Sequence, residues 1–250
     1  MSPAIFRDTS AIVSFQSPLR PRDVHALSPA NEECDVPADV QEFNVRMANS
    51  EGRREAATML LKKMYAWRGY DVDSATTEKP NLMTLTADTN GSTVGTMTLC
   101  FDSDIGLPAD ETFHEELESL RVQNRLLCEP SRLAIDKDTP KRVFAALMHI
   151  SYIYSHCMHR YDDYLIEVNP RHAMFYKRML GFRDFGTERL CSRVNAPAVL
   201  LRLECQYMAD QIARFGGQFE NALSERSFYP FFFSSKDEIG IHDRLTTNRT

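Results

Sequence analysis

The sequence is poor in the residues and spacings that mark several common functional classes. Only ten of its 250 residues are glycine, and none forms G-x-G-x-x-G or G-x-x-x-x-G-K-[ST]. Dinucleotide-binding and P-loop fingerprints are therefore absent. No stretch approaches the roughly 20 apolar residues that span a bilayer. The six cysteines form no C-x-x-C pair, which excludes a zinc ribbon and is typical of reduced, mostly buried thiols.

A basic excess is also missing. The formal net charge is −6, whereas a protein that binds nucleic acid as its main partner needs a concentrated basic surface. The first residues lack the basic and apolar regions of a secretory signal, so we expect a cytoplasmic protein. Hydrophobic residues at 43% and charged residues at 26% are ordinary for a folded chain. A chain of this length needs no disulfide or metal to stabilise its core.

Composition divides the chain into three parts. Residues 1–38 contain five of the twelve prolines and no sustained hydrophobic period, which predicts a flexible or loosely docked tail. Residues 39–206 are predicted to form the main domain. Residues 207–250 carry a helical pattern and then an aromatic cluster, so we interpret them as a C-terminal extension.

Local signals in the main domain predict an α+β (mixed α/β) fold. The pattern predicts a first helix from Ser50 to Gly69 and then two strands joined by an Asn90-Gly91 hairpin. A further strand is expected over 126–135, with a bulge at Pro130. Later signals predict, in order, a helix capped by Thr139 that runs to about Arg160, a strand over 164–168, a helix from Asn169-Pro170 to Gly181 and a strand over 197–203.

The run from Leu127 to Ile135 is the most informative for chemistry. Glu129 and Arg132 would lie on opposite faces of a regular strand, but a bulge at Pro130 can bring them to one side. Such a bulge also leaves backbone N–H groups free to bind an incoming carbonyl. The alternative is that the two side chains form an ion pair with a purely structural role.

Three runs carry a resemblance to known families. Glu129-Pro130-Ser131-Arg132 resembles an element of acyl-homoserine-lactone synthases. The run from Ile166 to Phe182 resembles the closing strand and helix of GNAT acyltransferases. The third run is Ala196–Leu203. Together the three runs are similar to the N-acyl amino acid synthases, and the resemblance covers roughly residues 43–206. The resemblance implies a GNAT-like fold, with a central, mostly antiparallel sheet flanked by helices. It also implies transfer of a medium- or long-chain acyl group from acyl carrier protein to the α-amine of an amino acid, with tyrosine a plausible acceptor.

The resemblance also implies site residues. Glu129 would remove a proton from the acceptor ammonium, and Arg132 would either orient Glu129 or hold the acceptor carboxylate. The substrate-binding candidates are Ser131, Trp67, Tyr70 and Asp71. Trp67 has the helical spacing of a core residue, so a structural role is its alternative.

The donor site departs from the pattern of coenzyme A enzymes. Residues 136–142 contain no glycine and two acids, so a pyrophosphate would fit poorly. The single phosphate of carrier-protein phosphopantetheine needs fewer backbone N–H donors. A local basic patch would steer docking of an acidic carrier protein; an ordinary solvated helix face is the alternative. Its predicted members are Lys137, Lys141, Arg142, Arg171 and His172.

This scheme needs no metal or redox cofactor, because the acyl-phosphopantetheine thioester is itself the donor. His149, His156 and His159 recur on one predicted helix, and an exposed or boundary face is favoured over a zinc site there. Two other functions stay open. One is a homoserine-lactone synthase that uses S-adenosylmethionine; the other is a GNAT-derived module that binds an acyl ligand or a carrier protein without turnover.

Overall fold

The structure of the protein is a computed structural model that describes residues 10–18, 40–66, 81–220 and 225–247. The strands are β1 (Val13–Pro18), β2 (Val40–Met47), β3 (Leu82–Thr89), β4 (Ser92–Phe101), β5 (Leu127–Ile135), β6 (Asp163–Val168), β7 (Arg183–Cys191) and β8 (Ala196–Glu204). The helices are α1 (Glu51–Ala66), α2 (Asp110–Arg121), α3 (Lys141–Tyr152), α4 (Pro170–Leu180), α5 (Cys205–Phe215) and α6 (Ser235–Thr247). A π-helical segment, Ile153–Met158, continues α3.

The strands form one sheet in the order β1-β2-β3-β4-β5-β6-β8-β7. Neighbouring strands are antiparallel except β5 and β6, which are parallel. Helices cover both faces of this sheet, which confirms the predicted α+β class with a mostly antiparallel sheet. In the described part of the chain, no helix has both the length and the apolar character needed to cross a membrane.

Different cores lie on the two faces of the sheet. The larger core joins α3 to α5, α6 and the inner side chains of β2–β6. The smaller core, which includes Phe113, Leu117, Leu127 and Leu165, joins α2 to the opposite face. Alternation along β5 sends Leu127 to the α2 side and Cys128 to the α3 side. Glu129 therefore lies on the α2 side.

Several local signals produce the structures predicted from them. Asn90 and Gly91 have φ angles of 48° and 74°, as a two-residue hairpin turn of right-handed twist requires. The Asn169 side chain accepts a hydrogen bond from the backbone N–H of Arg171 and caps α4. Gly181 ends that helix with a φ of 86°, a conformation that glycine adopts without steric cost.

The description of residues 1–38 as a tail needs correction for β1. Val13–Pro18 pair with Val40–Val45 of β2 as an edge strand, and Ile12 and Phe15 are buried in the main core. The hydrophobic pattern is too short to show this, because only six residues form the strand. Strand β7 was also missed, since most of its side chains are solvent-exposed and no apolar alternation marks it.

The C-terminal segment belongs to the main core rather than to a separate layer. Phe228, Tyr229, Phe232 and Phe233 are buried within it, and the Arg244 Nε donates a hydrogen bond to the Ile12 carbonyl. The segment after α5 therefore returns across α3 and meets β1. The three-part domain division itself stays a prediction.

Candidate active site

The central feature of the site is a gap between two neighbouring strands. β5 and β6 pair only at Leu127–Asp163 and Cys128–Tyr164. Beyond these residues β5 continues along β4 and β6 continues along β8. The backbones therefore diverge from Glu129 onward, which leaves an opening in the middle of the sheet.

A bulge lies on β5 beside this opening. Ser131 pairs with Thr98 and Ala134 with Thr96, so Arg132 and Leu133 together oppose Met97. Arg132 has a φ of 49°, a left-handed conformation that costs about 1 kcal/mol for a residue with a side chain. The predicted bulge at Pro130 is thus displaced by two residues, because Pro130 itself pairs regularly with Leu99. A bulge frees backbone groups from the ladder at the point where the strands separate.

Glu129 lies at the start of the opening and is only 3% exposed. Its Oε2 accepts a hydrogen bond of 2.8 Å from the backbone N–H of Ala109. Among the described residues, none makes a hydrogen bond to Oε1. One oxygen is therefore anchored, and the other is available to a molecule in the opening.

The environment of Glu129 favours its neutral form. Burial raises the pKa of this carboxyl to about 8, and the nearby carboxylates of Glu167 and Asp110 add to the increase. The Ala109 N–H and the charge of Arg193 act in the opposite direction. A carboxyl whose pKa lies near neutral pH is suited to exchange protons with a substrate.

The loop that supplies the Ala109 N–H is held by one arginine. Arg121 donates to both oxygens of Asp102 at 2.7 and 2.8 Å, and to both oxygens of Asp110 at 2.6 and 2.7 Å. These two carboxylates stand at opposite ends of the loop between β4 and α2. Paired bidentate contacts fix geometry more firmly than single ones. Arg121 thereby fixes the ends of the loop that presents Ala109 to Glu129.

Two charged residues on the same face were missed by the sequence analysis. Glu167 has a side chain only 5% exposed, and its Oε1 accepts a 2.9 Å hydrogen bond from the Thr112 hydroxyl. Arg193, in the turn between β7 and β8, donates to the other oxygen of Glu167. The sequence includes Glu167 in the Ile166–Phe182 run that resembles GNAT acyltransferases, but gives it no role of its own. No local pattern indicates a role for Arg193.

Arg132 and Ser131 stand apart from the Glu129 carboxyl. No ion pair or hydrogen bond joins Arg132 to Glu129 in the described structure, so the structural ion pair considered for them does not form. The Ser131 hydroxyl lies 3.4 Å from the Cys100 Sγ and 3.4 Å from the Thr98 carbonyl oxygen. Trp67, Tyr70 and Asp71, the other substrate-binding candidates, lie outside the described residues.

The five predicted docking residues are not equivalent. Lys137, Lys141 and Arg171 are exposed, and His172 is half-buried with its Nε2 3.1 Å from the Arg171 Nε. Arg142 instead donates to the Gln16 carbonyl at 2.7 Å, and its guanidinium lies 4.3 Å from the centre of the Phe219 ring. Arg142 thus ties α3 to β1.

The three helical histidines do not share one environment. His149 is fully buried, which corrects the expectation of an exposed or boundary face. Its Nδ1 accepts from the Phe233 N–H at 2.9 Å, and its Nε2 lies 2.7 Å from the Glu238 carboxylate. Within the described ranges, no group of three or more His, Cys, Asp or Glu side chains could hold a metal ion.

Comparison with known proteins identifies the family. Residues 56–204 match the family model described as N-acyl amino acid synthase FeeM. Among solved structures, the chain is similar to FeeM, an N-acyl amino acid synthase from uncultured soil microbes, with 26% identity and a TM-score of 0.63. That alignment covers 67% of this chain and 94% of the other.

The AHL synthase LasI is also similar, with 16% identity, a TM-score of 0.47 and coverage of 65% of this chain and 90% of the other. No curated protein matches the chain. The family match spans more than half of the sequence, and the sheet and helices agree with the implied GNAT-like arrangement. This chain is an acyltransferase and belongs to the FeeM family of N-acyl amino acid synthases.

Proposed function

We propose that this enzyme transfers a medium- or long-chain acyl group from an acyl carrier protein thioester to the α-amine of an amino acid. The observation that carries the proposal is the Glu129 carboxyl, which is buried at the divergence of β5 and β6 with one oxygen anchored. A carboxyl in this position can act as the base for acylation of an amine, because the amine must lose a proton before it can attack.

In the proposed reaction, ionised Glu129 takes one proton from the acceptor ammonium, directly or through one water. The neutral amine then attacks the thioester carbonyl, so that a C–N bond forms and the C–S bond breaks. The departing phosphopantetheine sulfur receives the second amine proton and leaves as a thiol. The backbone at the Arg132 bulge supplies N–H groups to the carbonyl oxygen. No oxidant, reductant or metal enters this balance.

The segment before α3 supports a carrier-protein donor over coenzyme A. The Asp136 side chain accepts from the Lys137 N–H at 2.8 Å, and the Asp136 carbonyl accepts from the Thr139 N–H at 3.1 Å. Backbone donors that would otherwise wrap a pyrophosphate are therefore occupied by the protein itself. Pro140, rather than the predicted Thr139, stands at the N-cap of α3 and has no N–H to give.

Exposed cations at the starts of α3 and α4 support docking of an acidic partner. Lys137 and Lys141 flank the start of α3, and Arg171 lies in the first turn of α4. We propose that these three residues attract the carrier protein, with His172 beside Arg171. Arg142 is left out of this surface because its guanidinium is bound to β1.

Mass spectrometry of lipids from bacteria that express the chain tests the reaction. Wild-type protein is expected to yield new N-acyl amino acids, whose masses identify acceptor and chain together. Glu129→Gln should yield none, while Glu188→Gln, which changes an exposed carboxylate on β7, should match wild type. A product containing a homoserine lactone would overturn the proposal in favour of the S-adenosylmethionine reaction.

A second experiment tests the donor. The double change Lys137→Glu/Lys141→Glu is expected to lower kcat/KM for acyl carrier protein at least tenfold and to leave kcat/KM for acyl-pantetheine unchanged, because steering acts only on the charged carrier. Lys62→Glu, at an exposed position of α1, is the control. An equal loss with both donors would contradict the docking role.

A further inference from the structure

An amino-acid acceptor carries a carboxylate next to the ammonium that must reach Glu129, and the structure offers a small set of cations for it. Three arginines lie on the α2 face of the sheet, the face that carries Glu129, namely Arg121, Arg189 and Arg193. Arg132, on β5 itself, is the cation that the sequence analysis nominated. To bind the acceptor carboxylate, a guanidinium must be fixed in position and still have an N–H group to donate.

Two of these arginines are already committed. Arg121 is bound to both oxygens of Asp102 and of Asp110. Arg189 donates to the two oxygens of Glu116 at 2.9 and 2.6 Å, and its Nη1 also donates to the Thr112 carbonyl. Its guanidinium also lies 5.1 Å from the centre of the Phe113 ring. Neither guanidinium can turn to a substrate without breaking the packing of α2.

Arg193 is held differently. One nitrogen, Nη2, donates to the buried Glu167 carboxylate, which Thr112 fixes from its other oxygen. The Arg193 Nε lies 3.5 Å from the Glu111 carboxylate. Across the described residues, Nη1 makes no hydrogen bond, and the side chain is 38% exposed. A guanidinium has five N–H donors, so this one is positioned on one edge and open on another.

Arg193 also lies within electrostatic range of Glu129, because its charge acts on that carboxyl. Glu129 and Glu167 occupy β5 and β6 on the two sides of the strand opening. Arg193, which is bound to Glu167, therefore stands across the opening from Glu129. A carboxyl base and a guanidinium on opposite sides of one opening match the ammonium and carboxylate of an α-amino acid.

We propose that Arg193 binds the α-carboxylate of the amino-acid acceptor and thereby selects amino acids over simple amines. This inference rests on the proposed function and names the group that recognises its acceptor. Glu167 and Thr112 act as positioning residues that hold the Arg193 guanidinium at the opening. Arg132, at the bulge and without a contact to Glu129, is not the anchor.

The test compares each amino acid with the amine obtained by removing its carboxylate, for example tyrosine with tyramine, leucine with isoamylamine and tryptophan with tryptamine. An acyl carrier protein charged with a fatty chain serves as donor. Wild-type enzyme is expected to prefer the amino acid. Arg193→Gln should raise KM for the amino acid about 10- to 100-fold, in line with loss of a charged hydrogen bond. It should lower kcat/KM for the amine far less, because the amine is affected only by the higher pKa of Glu129.

Arg132→Gln and Arg189→Gln are the matched controls, and both should retain the preference for the amino acid. Equal losses on amino acid and amine in Arg193→Gln would show a structural role and overturn the proposal. Loss of the preference in Arg132→Gln alone would move the anchor to Arg132. Because Arg193→Gln leaves Glu167 buried without its cation, Arg193→Gln/Glu167→Gln provides a second variant in which that buried charge is removed.

The outcomes separate this inference from the proposed function. If wild type acylates amino acids and their amines equally well, acyl transfer stands and the carboxylate anchor is wrong. If wild type acylates amines but no amino acid, the proposed function fails and the anchor fails with it.

Discussion

Glu129 and His149 are both buried ionisable groups on opposite faces of the same sheet, yet their surroundings differ. His149 has both ring nitrogens bound, and its ring stacks on those of Phe232 and Phe233 at centroid distances of 5.0 and 5.6 Å. Glu129 has one oxygen bound and lies where two strands separate. A buried polar group whose bonding capacity is filled stabilises a fold, whereas one left partly open at a gap is available for chemistry.

The largest expected effect is on catalysis. Glu129→Gln removes the proposed base but retains an oxygen that can accept from the Ala109 N–H, so we expect kcat to fall about 10²- to 10⁴-fold. The same change should raise the free energy of unfolding by about 1–3 kcal/mol at pH 8. At that pH the Glu129 carboxyl ionises more readily in the unfolded chain than in the folded protein, and the glutamine removes this advantage of the unfolded chain. Steady-state kinetics and chemical denaturation measure the two effects. Lower activity together with lower stability would contradict this contrast.

The reverse pattern is expected at His149. His149→Ala removes a buried ring and leaves the Phe233 N–H without its acceptor, so the free energy of unfolding should fall by about 2–4 kcal/mol. The kcat of the folded fraction should stay within about twofold of wild type. His242→Ala, at an exposed site on α6, should change neither quantity. A large loss of kcat in folded His149→Ala would place this residue in catalysis.

The two groups should also give opposite dependences on pH. Burial lowers the pKa of His149, although Glu238 opposes the change, so below about pH 6.5 the unfolded chain binds a proton that the folded protein resists. Stability should therefore fall as pH decreases from about 6.5. For Glu129, whose pKa is raised to about 8, the unfolded carboxyl ionises first, and stability should fall as pH rises from about 4.5 towards 8.

Denaturation at a series of pH values separates these two contributions to the free energy of unfolding. Glu129→Gln should remove the decrease on the alkaline side, and His149→Ala should remove the one on the acidic side. The kcat/KM of wild type should rise with pH up to about 8, as Glu129 ionises. An activity profile that is flat between pH 6 and pH 8 would exclude Glu129 as the base.

The smallest expected effect concerns the loop that anchors Glu129. Asp102→Asn weakens the Arg121 contacts at one loop end and should loosen the Ala109 N–H without removing a charge that acts on Glu129. Because this N–H lowers the pKa of Glu129, its loss should shift the rise of kcat/KM to higher pH and reduce activity at pH 7 about 3- to 10-fold. Glu118→Gln alters another Arg121 partner outside the loop and serves as control. Identical profiles for both variants would show that the loop does not act on Glu129.

The sequence predicts the features of the fold and of the site that depend on local chemistry. Asn90-Gly91, Asn169 and Gly181 mark a turn, a helix start and a helix end in this chain, whereas the exposed strand β7 carries no such signal. Glu129 could be nominated because a family motif surrounds it. Its assigned role remains a prediction, as do those of Ser131 and the docking residues.

Other features of the fold and of the site depend on contacts between residues far apart in the chain. Arg193 meets Glu167 across 26 positions, and His149 meets Glu238 across 89. Neither pair leaves a periodic signal in the sequence. The shift of the bulge from Pro130 to Arg132 depends on how β5 registers against β4, which the composition of β5 alone does not determine. Long-range geometry thus decides which charged residues belong to the site.

The way the C-terminal segment closes the main core has a consequence for biosynthesis. Ile241 and Leu245 pack into the core that also contains Phe43 and Val45 of β2, so this core is incomplete until α6 has left the ribosome. Until then the nascent chain leaves the apolar face of α3 exposed, and exposed apolar surface invites aggregation. Truncation before Phe228 would make that transient exposure permanent. We therefore expect truncated chains to depend on chaperones far more than the full sequence does.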